Sequence, residues 1–476
     1  MEKVKKQYGL WTGIAMVVGI VIGSGVFFKS DDVLQVSNGD LRISILAWLV
    51  GGIIMIASGF CFAVYANKIQ KFNGVVDYVE EATNKKIGYG LAWLITTFYY
   101  PIIASIVALI AGTYFFSLFG YEFAPGDFRV IIFAFIVLTL FAALNYLSPL
   151  IGAKFQVSST VIKLIPILFI AIAGIIASLV TNSDAGIFGA FTNVANQSDI
   201  TNEKISLSMN FGAAVKATAF AYEGWVCATA INAELKNPKK DLPKALTFGT
   251  IAILIFYIIY FISLSSFLGN TTVLNEADKA ASNVFEQIMG VAGKIIFTSF
   301  ILISCLGTVN GVIISCCRGM YTMSCRGQGI CPEKFSKLGK NQSVSLLSCI
   351  FGYCCTILML VVWSLAQNKV WIFSYLTTMD EIICALIYGV YITMYIYMIR
   401  HFKEENIFKR YIMPIVAIIG SIFFVICATG LFQFFDTGET NSLISFAIFM
   451  GLFVILMFPC IFFYREKSEE ISLNEE

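Results

Sequence analysis

The chain is built from apolar runs too long for anything but a bilayer. Crossing the hydrocarbon takes about 20 consecutive apolar residues in a helix. Runs of that kind lie near 10–37, 43–66, 87–119, 129–147, 154–181, 208–235, 244–268, 287–317, 344–366, 370–398, 411–434 and 442–464. We read them as twelve membrane-spanning helices of an all-α polytopic protein. Composition agrees, with 58% hydrophobic and 13% charged residues, about half the charged share of a soluble domain. The first run continues into the next with no small-residue cleavage site, so no signal peptide is expected. No soluble domain is expected either, because the longest polar connections are only 182–206, 269–286 and 326–343.

Charge distribution orients the chain. With the amino terminus inside, the inner connections hold most of the 32 Lys and Arg residues, among them Lys68, Lys85, Lys236, Lys239, Arg326, Lys337, Arg400 and Lys409. That asymmetry predicts both termini in the cytoplasm and leaves the basic loops needing no nucleic-acid partner. The 13 cysteines all fall in spans or inner loops, where disulfides are not expected. The single histidine, His401, lies in a basic loop with no ligand-spaced partners, so neither a metal nor a cofactor is expected.

Two spans interrupt themselves. "GIVIGSGVF" (Gly19 to Phe27) puts three glycines within seven residues of the first span, and "FAYEGW" (Phe220 to Trp225) puts a glycine, a charge and aromatics inside the sixth. A backbone gap at membrane depth survives only where protein or a cavity surrounds it. Breaks at matching places, each opening a set of five spans, predict two inverted repeats, 10–181 and 208–398, followed by spans eleven and twelve (411–464), with a binding site at the midplane. Free N–H groups after the first break suit a carboxylate, and the carbonyls that end the preceding half-helices suit an ammonium. A zwitterionic amino acid satisfies both.

These strings, together with "ELKNPKKDLPKAL" after the sixth span and "SCLGTVNGVIISCCRGMYTMSCRGQGICPE" in the eighth, resemble the amino acid–polyamine–organocation superfamily. The resemblance is nearest to the L-type amino acid transporter branch and its bacterial relatives, and it covers the first ten spans. It implies the LeuT fold, with broken helices 1 and 6 in a 5+5 inverted repeat. It further implies sodium-independent exchange of neutral amino acids by alternating access at the plasma membrane. Carried over position by position, the substrate carboxylate meets the N–H groups of Ser24 and Gly25, with Val26 nearby. Its ammonium meets carbonyls of Val21, Phe220 and Glu223, with Ala221 in the same unwound stretch. Phe220 also covers the site from outside, and Gly23, Val226 and Thr229 line the side-chain pocket of a small or medium neutral substrate. Glu234 and Lys236, after the sixth span, correspond to an inner gate.

Lys163, in "VIKLIP", stands about 13 Å into the fifth span if that helix starts at Lys154. An intramembrane lysine is a functional candidate by default. The resemblance gives it the place of the sodium ion of coupled relatives, against the carbonyls near Gly19 and Ile20 and the hydroxyl of Ser304. A proton-coupled symport is the alternative. Glu223 stands where the L-type branch often has glycine, and is expected to brace the break by accepting N–H bonds. Asp380 and Glu381 either pair with Lys216 inside the tenth span or lie at its outer rim. The loop after span three, "GYEFAPGDF", lacks the cysteine through which animal relatives bond a heavy chain, so no covalent heavy-chain subunit is expected and a monomer suffices. A membrane enzyme would need clustered acids or a Ser/His pair at one depth, and a channel a continuous polar lining. The sequence has neither, whereas a sensor that binds without transporting stays open.

Overall fold

The computed structural model describes residues 8–23, 25–69, 73–180, 186–203, 206–339, 344–430, 440–462 and 464. Among them every regular element is helical, and the only strand-like pairings are two isolated bridges, Tyr8 with Leu235 and Ser37 with Met209. Ten helices are long and apolar enough to cross a membrane, so the protein is a multi-pass membrane protein. Of the other two expected spans, the sixth is divided for a physical reason into Phe211–Ala221 and a 3-10 stretch, Trp225–Glu234, and neither piece is a full span. The last is the 22-residue helix Asn441–Phe462, whose described side chains include the apolar stretch Leu443–Met457.

We number the spans in chain order. Span 1 is Leu10–Val21 followed by Gly25–Phe28 and Ser30–Gln35, and span 2 is Leu41–Lys68. Span 3 runs Lys85–Ser117 and contains a π-helical turn at Ile95–Tyr99. Spans 4 and 5 are Phe128–Leu147 and Pro149–Val180; span 7 is Pro238–Leu268 and span 8 is Ala280–Cys325. Spans 9, 10 and 11 are Leu346–Gln367, Met379–His401 and Met413–Ala428. The starts follow their capping residues. Side chains of Asp40, Asn84, Asp127 and Asn210 accept N–H bonds from Arg42, Ile87, Arg129 and Ala213, satisfying donors that a helix N-terminus leaves bare.

Three boundaries differ from expectation. Span 7 begins at Pro238 instead of 244, with proline at its first position where no N–H is needed. Span 8 extends well beyond 287–317 and bends at Gly290, where φ is +67°. Span 10 begins at Met379 instead of 370, because Trp371–Leu376 forms a separate 3-10 turn.

Span 1 is the centre of the bundle. It packs against spans 5, 7 and 8 and against the 3-10 half of span 6, while span 7 lies along span 2 and span 8 along span 3. Exposed apolar side chains lie on spans 4, 5, 7, 9 and 11 and on the last helix, among them Ile132, Leu140, Ile172, Ile255, Leu358, Ile419 and Ile455. Such faces are what lipid requires. The end of the bundle bearing Tyr8, Lys68, Lys85 and Arg326 is called the amino-terminal face below.

Candidate functional site

Both breaks are present, and they touch. A Cβ placed on Gly25 would stand 2.8 Å from Ala221 Cα, so only glycine lets the restart of span 1 lie against the end of the first half of span 6. Gly224 has φ +103°, a conformation costly for other residues, and its missing Cβ leaves room for Ile20. Between the breaks lies a small cavity lined by Ile20, Val21, Gly23, Gly25, Ile103, Val107, Phe220, Glu223 and Thr308. Each of these residues is buried.

The first break is held by side chains from other spans. Lys163, fully buried, donates to the Gly19 carbonyl and to Thr308 Oγ1 at 2.9 Å. Thr308 in turn lies 3.2 Å from the Ile20 carbonyl. Ser304 lies 2.9 Å from the Gly23 carbonyl and 3.3 Å from that of Ile22. The hydroxyl partner of Lys163 is therefore Thr308 and not Ser304. Span 5 begins at Pro149 instead of 154, and Ser304 stands one turn away on span 8, facing the gap itself. Tyr257 of span 7 was not singled out in the sequence. Its hydroxyl lies 2.9 Å from the Val21 carbonyl and 3.0 Å from the Ala221 carbonyl, tying the ends of the two half-helices together.

The second break is held by an acid. Tyr99, on the π turn of span 3, donates its hydroxyl to Glu223, and the Gly224 N–H and Cys384 are further partners of that carboxyl. A π turn often marks a functional place in a helix, and here it turns Tyr99 toward the site. The Phe220 carbonyl accepts the Glu223 N–H at 3.2 Å.

Other expected residues are placed differently. Val26 is buried away from the cavity and its carbonyl accepts the Ser30 hydroxyl at 2.6 Å. Val226 and Thr229 are buried but do not line the cavity; a Cβ on Gly74 would be 2.7 Å from Thr229 Cβ, which packs Thr229 against the loop after span 2. Ser24 and the side chain of Glu234 lie outside the described residues. The Lys236 side chain is exposed, and its N–H donates to the Tyr8 carbonyl at 2.8 Å.

The amino-terminal face is closed by a clamp that sequence spacing hides. Arg326 at the end of span 8 pairs with Asp77 at 3.1 Å and with Glu80, both on the short helix Val75–Ala82. The opposite face has a wide hollow, about 840 Å3, lined by residues including Asp32, Tyr114, Glu122, Lys279, Lys294 and Phe297. Between that hollow and the cavity, Lys216 pairs with Glu381 at 2.8 Å, and Lys29 with Asp32 at 2.9 Å. Asp380 and Glu381 occupy the first turn of span 10, not its third, yet both are buried, so each expected alternative holds part of the answer. Lys216 stands one turn before Phe220 on the same face of its helix.

The family model described as an amino acid permease matches residues 8–468. The chain belongs to the amino acid permease family. It is a transporter and not an enzyme, and its substrate is an amino acid. Among curated proteins, the permease is 31% identical over 432 residues to the serine/threonine exchanger SteT of Bacillus subtilis (strain 168), covering 89% of this chain and 91% of that protein. It is 24% identical to the human cystine/glutamate transporter, over 75% of this chain and 69% of that one. It is 26% identical to the large neutral amino acids transporter small subunit 2 of Mus musculus, over 75% of this chain and 65% of that one. Among the described residues no group of His, Cys, Asp and Glu is arranged to hold a metal ion.

Proposed function

We propose that the permease is a sodium-independent exchanger of neutral L-amino acids at the plasma membrane, with both termini in the cytoplasm, acting as a monomer without a covalent heavy chain. The observation that carries this reading is Lys163. Its ammonium joins span 5 to the first break and to span 8 through Gly19 and Thr308. A fixed cation there leaves no vacancy for a mobile one. Substrate carboxylate is read onto the N–H groups of Ser24 and Gly25. Its ammonium is read onto the carbonyls of Val21 and Phe220 and onto Glu223. The Phe220 carbonyl accepts the Glu223 N–H and has a second lone pair to offer, whereas the Val21 carbonyl already accepts the Gly23 N–H at 2.7 Å and the Tyr257 hydroxyl at 2.9 Å, so an ammonium there takes the place of one of them.

The two inverted repeats, 10–181 and 208–398, belong to the same proposal. Spans 1, 2, 6 and 7 rock against spans 3, 4, 8 and 9, Phe220 covers the occupied cavity, and the Arg326 clamp parts on the cytoplasmic side. A preference for small and medium side chains is in keeping with the name of the Bacillus relative.

Purified protein in liposomes tests this. Uptake of labelled L-serine, L-threonine and L-leucine should require unlabelled amino acid inside and ignore both sodium and a proton gradient. Gradient-driven uptake into empty vesicles would make the protein a proton symporter, a second reading favoured by the ionisable amine of Lys163 at the first break. Binding without uptake would make it a sensor.

A further inference from the structure

Three side-chain amides are buried together where spans 4, 5 and 8 meet. Asn145, Gln156 and Asn310 are each at most 3% exposed. Asn145 Nδ2 donates to Asn310 Oδ1 at 3.0 Å, and Asn310 Nδ2 donates to Gln156 Oε1 at 3.0 Å. Gln156 Nε2 then donates to the Ala15 carbonyl at 3.2 Å, in the first half of span 1. Each amide donates on one side while its neighbour accepts, so the three form one relay running from span 4 to span 1. Two further bonds fix it in place: Asn145 Nδ2 to the Phe141 carbonyl at 2.9 Å and Asn310 Nδ2 to the Gly152 carbonyl at 3.0 Å.

Glycines on three helices make room for the relay. A Cβ on Gly152 would stand 2.2 Å from Asn145 Oδ1, one on Gly19 2.9 Å from Gln156 Nε2, and one on Gly311 3.1 Å from Gln156 Oε1. Apolar side chains of the same size would fill this space without the cost of burying amides. They would also avoid the unmet acceptor at the relay's far end, Asn145 Oδ1. What apolar packing cannot supply is a directional grip on the span 1 backbone. Ala15 stands about 6 Å before Gly19 along its helix, so Gln156 holds span 1 on the amino-terminal side of the contact made by Lys163. Gln156 and Lys163 are two turns apart on one face of span 5.

We infer that the Asn145–Asn310–Gln156 relay is a latch on the half-helix Leu10–Val21, and that its Gln156–Ala15 bond parts when the central site opens toward the amino-terminal face. The inference rests on the alternating-access reading. In that cycle spans 4 and 8 move together and span 5 is their neighbour, so the bonds among the three amides persist. The bond to Ala15 is the one in the relay that reaches the rocking bundle, and it is the longest of the three that make up the chain. Once it parts, the Gln156 amide and the Ala15 carbonyl face the opening path, where water satisfies both. Gln156 is thus a positioning residue, acting on the site through span 1.

The test is hydrogen–deuterium exchange of the full-length protein in lipid nanodiscs, read separately for residues 10–21, 25–35 and 75–82. The last segment is the clamp helix Val75–Ala82, which packs on spans 3 and 10 and on the second half of span 6, away from the relay. Gln156→Met removes the donor. Gln156→Asn keeps a polar group but withdraws it by one methylene, and measurable L-serine exchange in liposomes shows that a variant is folded. Losing one net hydrogen bond should raise deuterium uptake about fivefold in both 10–21 and 75–82, with no rise in 25–35, because release of the latch shifts the whole amino-terminal face toward its open state. A rise confined to 10–21 overturns the latch and leaves Gln156 a packing residue. Unchanged uptake, or a rise in all three segments, overturns it as well. No L-serine exchange in the wild type defeats the transport reading itself, a result distinct from the others.

Discussion

The two breaks solve one problem by opposite means. At the first, carbonyls are left over, and donors from distant spans cap them: Lys163, Ser304 and Thr308 cover Gly19, Ile20, Ile22 and Gly23. At the second, a carboxyl belonging to the break itself reaches outward for donors, and finds Tyr99 and the Gly224 N–H. The first interruption is thus held from outside by spans 5 and 8. The second carries its own anchor and is tied to spans 3 and 10. If the two move as a unit against spans 3, 5 and 8, every contact that crosses between them must loosen in each cycle. Among the described residues Tyr257 is the one that bonds to both, and it comes from span 7.

This difference can be broken experimentally. Lys163→Met removes a charged donor and leaves the Gly19 carbonyl and the Thr308 hydroxyl buried without it. About 2–3 kcal/mol is expected, so exchange in liposomes should fall about 30- to 150-fold. Gly224→Ala forces a side chain into positive φ and into Ile20; about 2 kcal/mol predicts a roughly 30-fold loss of substrate affinity in a binding titration. Glu223→Gln keeps shape but weakens a charge-assisted bond by about 1.5 kcal/mol, and affinity should drop about tenfold. If Glu223→Gln proves as damaging as Lys163→Met, the second break is not self-anchored and the contrast fails. Tyr257→Phe loses one hydroxyl shared by two carbonyls, about 1 kcal/mol. A fivefold weaker affinity is expected, and a double variant with Lys163→Met should show whether Tyr257 acts through the first break or the second.

The smallest effect lies away from both. Asp127 caps span 4 on the far face, where bonds from Arg129 lower its carboxyl from 3.8 to about 2. A depressed carboxyl gives stability that is complete above its unfolded value and lost as pH falls from about 4 to about 2. Asp127→Asn should flatten the fall of Tm in that window while leaving exchange at neutral pH unchanged.

Much of this was legible in the sequence where local signals were strong. Ten spans followed from hydropathy. The first break followed from glycine spacing, the second from a glycine, a charge and aromatics inside one span, and Lys163 from being a lone charge in an apolar run. What was hidden depended on register or on distance along the chain. Thr308 differs from Ser304 by one helical turn, and a five-residue error in the start of span 5 shifts depth by more than a turn. Tyr257 is one tyrosine among 21, and nothing in its neighbours separates a packing ring from one that bonds two carbonyls. Arg326 finds Glu80 across 246 residues, a separation no periodicity can encode. Span 10 was placed too early because the apolar 3-10 turn Trp371–Leu376 reads like the start of a long helix.

Tyr8 is where three of these elements meet. Its backbone pairs with Leu235 and accepts the Lys236 N–H, and its hydroxyl receives Arg318. The start of span 1, the end of span 6 and the part of span 8 near the amino-terminal face are therefore stitched at one residue. A pull on Tyr8 is transmitted to all three. A dye or tether attached there would act as a handle on the transport cycle, reporting the parting of the amino-terminal face as a change in its own surroundings.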